Sequence, residues 1–304
     1  MNQIACNEMK YQPEESAISG PIDLEQILAR INTLPAMPVI AQKLLGLALN
    51  TDHGETQMLR LVAQDSQISA KIIGLSNSAL FATPGIITSI IDAAMYLGLT
   101  QIKSVAIGMA TVSALTKPPE GKLKSADLWA HSMTIASAMR VIAKHMPAKT
   151  RPVDEQIFLA GLLHDIGYNV LNFIAKDTCN ALYEKLSTPS DASPLEIEHA
   201  LLGTHHGEIG AQLGIHWGLP AEIIAVIRYH HIPNSANAEI GQPLVRLVNL
   251  AERMLPDFAI IESTAQEITP QEWIALGIDP GKADSIAEQI SSVAEQAKQL
   301  ASAI

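Results

Sequence analysis

Apolar residues recur at three- and four-residue spacings along nearly the whole chain, and prolines, glycines and asparagines break the pattern into short lengths. Asp23 and Gln26 are spaced as a capping box ahead of a stripe of Leu24, Ile27, Leu28 and Ile31. LPAMP then forces a break, and a short helix is predicted through Leu44, Leu45 and Leu47. Further helices are predicted at about 55–64, 66–77, 87–97, 100–114, 126–145, 154–174, 176–187, 194–202, 206–216, 220–231 and 242–254. Two more are expected after Pro270, the last Ala-rich and amphipathic through Ile286, Ile290 and Val293. Strictly alternating β-branched runs are scarce, so the expected fold is all-α, a bundle of many helices.

Polar punctuation suggests how the bundle is divided. Residues 1–22 lack an amphipathic period and read as a flexible leader. The segment TKPPEGKLKS at 116–125 is charged and Pro-containing, so it is the expected hinge between an amino-terminal helical lobe at 23–118 and a histidine-rich helical domain at 119–258. PNSANAEIGQ at 233–242 reads as a surface loop, and residues 259–304 as a helical extension expected to pack on its own bundle rather than on a second copy.

Charge narrows the partners. A formal net charge of -11 disfavours duplex nucleic acid or an anionic membrane as the main partner, because neutralising phosphates needs clustered Lys and Arg. The short amino-terminal helices carry mostly Gln, Ser and apolar residues where phosphate contacts would need basic ones, so direct DNA reading is not expected. The longest apolar stretch, at 104–115, is shorter than a bilayer span. No secretory signal is recognisable, and Cys6 and Cys179 lie far apart without a partner motif, which fits a reducing cytoplasm.

The candidate chemistry is concentrated. Nine of the ten histidines fall between His131 and His231, and GLLHDIG at 161–167 sets His164 beside Asp165 in an apolar helix. Imidazole and carboxylate ligands together suit iron, manganese or zinc, and a hydrolytic centre would need an open position as well. Neighbouring helical residues point about 100° apart, so His164 and Asp165 can flank a metal in the groove between them while other helices supply further ligands. His131, His206, His230 and His231 are the candidates for that role. His53, His145, His199 and His216 read as surface or helix-end residues, and His205 is a weaker candidate than its neighbour His206.

These residues carry a resemblance. LWAHSMTIA, GLLHDIG, HHGEIGAQL and RYHH, with LPAMP, AQDSQISAKIIGLSNSALF and ITSIIDAAMYLGLTQIKSV before them, are similar to the HDOD branch (HD-related output domain) of the HD metal-dependent phosphohydrolase superfamily, over about residues 24–255. The resemblance implies an HD-like helical bundle in a bacterial signalling module, with signalling proteins as partners and a nucleotide as a possible ligand. By analogy with the catalytic HD-GYP branch it also implies a metal set of His131, His164, Asp165, His206, His230 and His231, closed by Asn249 where the superfamily expects a carboxylate. Alternatively, Glu252 or Asp257 provides that carboxylate.

Three departures stand out. Tyr168 takes the place of a lysine after HDIG, IPNSANAEIG that of the GYP signature, and Asn249 that of the carboxylate. A neutral amide offsets a hard cation poorly, and the lost lysine removes a charge that would stabilise a phosphoryl group. The expectation is therefore a non-catalytic module holding a divalent metal at low or partial occupancy. A metal-dependent phosphohydrolase or nucleotide phosphodiesterase is the alternative.

Overall fold

The computed structural model describes residues 24–31, 33–78, 85–255 and 267–301; the expected leader, Asp257 and the boundary at 258 lie outside the described residues. Among the described residues there are sixteen α-helices and no strand. They run α1 (Leu24–Ile31), α2 (Val39–Leu45), α3 (Asp52–Gln64), α4 (Ser66–Ser76), α5 (Ile90–Leu97), α6 (Leu99–Leu115), α7 (Ser125–Lys144) and α8 (Asp154–Leu163). After these come α9 (Ile166–Ile174), α10 (Lys176–Leu186), α11 (Pro194–Leu202), α12 (His206–Trp217), α13 (Ala221–Tyr229), α14 (Leu244–Met254), α15 (Pro270–Ala275) and α16 (Ala283–Ala301). The expected loop at 233–242 contains a 3-10 turn, Ala236–Gly241.

Local chemistry sets many of the helix starts. Thr51 Oγ1 accepts from the Gly54 N–H, Asp65 from Gln67 and Ile68, and Ser89 from Asp92, which satisfies N–H groups that no helical carbonyl can reach. Ser193 and Glu196 form a reciprocal capping box at the head of α11.

Helices α7 and α8 form the centre. α7 packs on α8, α14 and α16, while α8 also meets α6, α13 and α14. Ile135, Met139 and Ile142 of α7 and Ile157, Phe158 and Leu162 of α8 are fully or almost fully buried, each contributing on the order of 1.5–3 kcal/mol of burial. A Cβ on Gly161 would stand 2.5 Å from Ala136 Cα, so only glycine lets α7 and α8 approach this closely. The extension packs back as expected, with Ile286, Ile290 and Ala294 of α16 buried and α16 lying against α7. The run Asp154–Ile174 is long and apolar enough for a bilayer span, but 83% of that window is buried inside the protein, where it serves as core.

The amino-terminal helices are stitched to the histidine-rich part by polar contacts. Lys103 on α6 is buried, donates to Leu47 O at 2.6 Å and pairs with Glu155 of α8 at 2.6 Å. Trp217 donates to Pro35 O, Arg30 to Ile174 O, and α1 packs on α9 and α12. The expected hinge is tied down as well. Leu123 is buried, its carbonyl accepts from Asn172, and the Lys122 N–H donates to Asn180 Oδ1 at 2.6 Å, because these side chains of α9 and α10 satisfy a backbone that would otherwise need water.

Candidate metal centre

His164 and Asp165 do not lie within a continuous helix. The single helix expected over 154–174 ends at Leu163, and Asp165 (φ −99°, ψ 15°) stands between α8 and α9. The apolar run gave no sign of this break, since both segments bury the same kinds of residue. Its consequence is that the two neighbouring side chains converge on one region. Gly167 makes a second close approach: a Cβ there would fall 1.9 Å from His206 O, so the start of α9 touches the start of α12. That contact brings His206 beside Asp165.

Two donor groups result. His131, His164, Asp165 and Glu252 offer ligand atoms that all lie within 4.8 Å of one another, and so do His206, His230 and His231. Asp165 sits between them. Its Oδ2 lies 3.1 Å from His164 Nε2 and 3.3 Å from His131 Nε2, while its Oδ1 lies 3.5 Å from both His206 Nε2 and His230 Nε2. Glu252 reaches His164 Nε2 at 2.9 Å through Oε1 and His231 Nδ1 at 3.4 Å through Oε2. Apart from His231, which is slightly more open, these residues are at most 3% exposed.

The outer faces of the rings are committed elsewhere. His164 Nδ1 lies 2.8 Å from Gly161 O, His230 Nδ1 3.0 Å from Ile227 O, and His206 Nδ1 2.8 Å from Glu198. Each acceptor calls for the ring proton on Nδ1, so in the neutral rings Nε2 turns a lone pair inward. His206 Nε2 and His230 Nε2 then face each other at 3.1 Å, which is repulsive unless a proton or a cation lies between them. The carboxylate oxygens of Asp165 and Glu252 and His164 Nε2 are buried and form no hydrogen bond of normal geometry despite their short separations. Atoms that converge without bonding to one another are aimed at a common centre. The donor set, nitrogen and oxygen without sulfur, fits iron, manganese or zinc.

Electrostatics show what must otherwise fill that centre. Burial lowers the His164 pKa, but Asp165 and Glu252 outweigh it and raise the value to about 10. Burial likewise opposes a charge on His206, and Glu198 and Asp165 overcome it, so that pKa also rises. Burial and the neighbouring His231 hold His230 well below its ordinary value. Burial opposes ionisation of Glu252, yet the surrounding imidazoles hold its pKa at about 2. Metal-free, a proton on His164 offsets the buried carboxylates, and the rise at His206 acts in the same direction; a bound cation would take that place.

Asn249, the expected closing ligand, is engaged elsewhere: its Nδ2 donates to His230 O at 2.8 Å and its Oδ1 accepts from Arg253 at 3.2 Å. The carboxylate at the centre is Glu252, nearly one turn further along α14. Tyr168 is buried against His206, with ring centroids 4.3 Å apart, and its hydroxyl donates to Glu198. His205 caps α12 by accepting from the Glu208 N–H, and burial and the nearby His206 lower its pKa to about 4. His53, His199 and His216 are exposed. Glu198 was not visible from sequence reasoning; the available signal was an acid four residues before Leu202, on the buried face of α11.

The HDOD domain model matches residues 34–233. The chain belongs to the HDOD family. An HDOD domain protein with unknown function from Geobacter sulfurreducens is 26% identical, with a TM-score of 0.72 over 91% of this chain and 98% of that one. A Shewanella amazonensis SB2B protein, provisionally described as a phosphohydrolase, is 25% identical, with a TM-score of 0.68 over 90% and 97%. An uncharacterized protein from Treponema pallidum (strain Nichols) is 24% identical over 226 residues, which are 74% of this HDOD chain and 42% of that protein, so the chain spans less than half of this relative.

Proposed function

We propose that this chain is a non-catalytic signalling module in which a sealed metal centre organises or senses, and whose surface contacts partner proteins in the bacterial cytoplasm. In this reading His131, His164, Asp165 and Glu252 hold one divalent cation, while His206, His230 and His231 hold a second, with Asp165 shared. The observation that carries it is burial. Ligand atoms of His164, Asp165 and Glu252 have essentially no solvent contact, whereas a hydrolytic centre must admit water and a phosphoryl group. At the Tyr168 position the lysine's charge is replaced by a ring packed on His206. The amino-terminal lobe, which we end at residue 118, offers surface for contacts: Ile86 and, on α5, Ile91 and Met95 are 88%, 61% and 74% exposed.

A metal-dependent phosphohydrolase is the second reading, favoured by the carboxylate of Asp165 standing between two donor groups. A bound pair of cations would supply Lewis acidity and an activated water there. The test is to reconstitute the purified chain with Fe, Mn or Zn and assay it against a nucleotide and cyclic dinucleotide panel. The module reading expects retained metal and no turnover. Metal-dependent hydrolysis that disappears in His164→Ala would replace it with the second reading.

A further inference from the structure

We propose that Glu198, braced by Tyr168, is the positioning residue that sets His206 for the second donor group; this rests on the metal reading above. Glu198 is completely buried, where an ionised carboxylate is costly unless every oxygen is satisfied. It is satisfied by few partners, all at one place. Oε2 accepts the His206 backbone N–H at 2.9 Å, the carboxylate accepts His206 Nδ1–H at 2.8 Å, and Oε1 accepts the Tyr168 hydroxyl.

The consequence for His206 is specific. Main chain and ring are held by the same carboxylate, so neither the tautomer nor the ring rotation is free. Tyr168 lies over the ring at an interplanar angle of 19° and closes its face. Nε2 is thereby left as the ring nitrogen that faces the centre, 3.1 Å from His230 Nε2 and 3.5 Å from Asp165 Oδ1. A carboxylate behind the imidazole also makes Nε2 a stronger donor to a cation, and groups in this position typically change metal affinity by about 10–100-fold. Asp165 and Glu252 reach the second group only from the side of the first, at 3.4–3.5 Å, so Glu198 supplies further negative charge at one remove. Tyr168 thus serves ligand geometry at a position where a lysine would serve a substrate.

The experiment strips the full chain with a chelator and titrates it with Mn(II), following uptake by calorimetry and by the manganese electron-spin spectrum. Two equivalents are expected for the wild type. Glu198→Gln should weaken one step by about 10–100-fold and leave the other unchanged, with loss of the spin-coupled signal. Tyr168→Phe, which keeps the stacking, should weaken the same step by less. Both steps intact in Glu198→Gln, or both weakened equally, would overturn the proposal. If the wild type takes up no Mn(II), the metal reading fails, and nitrogen-15 imidazole spectra decide this inference separately. His206 should then show a protonated Nδ1 that Glu198→Gln disturbs; identical spectra in the two proteins would overturn it.

Discussion

The two donor groups face each other across Asp165, yet they balance charge by different means. The first brings two carboxylates, Asp165 and Glu252, directly against His131 and His164. The second consists of His206, His230 and His231, with Glu198 standing behind His206. Direct carboxylates favour hard cations and cost more to bury; imidazoles are cheaper to bury but offset less charge. Unequal affinity follows, with the carboxylate-bearing group filling first. The shared residue then links the occupancy of one position to that of the other.

The largest effect is expected at that shared residue. Asp165→Ala should lose both metal equivalents, because each group loses an oxygen while the remaining imidazoles repel one another. Elemental analysis of protein purified without chelator measures this. One full equivalent retained would mean that Asp165 serves a single group.

Next is the pair on α14. Glu252→Gln should lower affinity in the first group by about 10-fold or more, since a charged ligand becomes neutral. Asn249→Asp should leave metal content unchanged, because position 249 faces Arg253 and the His230 carbonyl. Metal gained only in Asn249→Asp would restore the ligand role that the family resemblance implied for it.

That pair also shows where the sequence stops being legible. Helices were readable because apolar spacing reports burial, and α7, α12 and α14 lie within two or three residues of expectation. The inward histidines were readable from their clustering. Asn249 and Glu252 are three residues apart on one helix, so spacing could not separate them. One sign favoured Glu252: it continues the buried run Val245 and Val248, where an acid has no reason to sit unless something compensates it. The break at His164–Asp165 and the role of Tyr168 depend on how α9 meets α12, which is a tertiary contact through Gly167 and not a local pattern. The tethering of residues 121–123 was missed for the same reason, since Asn172 and Asn180 come from helices some fifty residues away.

The smallest expected effect is on stability against pH, and it separates proton from metal as the occupant of the first group. In metal-free protein His164 titrates near 10, where Asp165 and Glu252 outweigh burial, against about 6.5 when unfolded. Between those values the folded chain holds a proton that the unfolded chain has released, so stability falls as pH rises. This contribution is complete below about 6.5 and lost as pH passes through about 10. A bound cation replaces that proton and does not titrate away. Thermal midpoints measured over this window should therefore decline in chelator and stay nearly level with Mn(II). A metal-free midpoint that rises across the window would show that burial governs His164 and that the two carboxylates do not hold its proton.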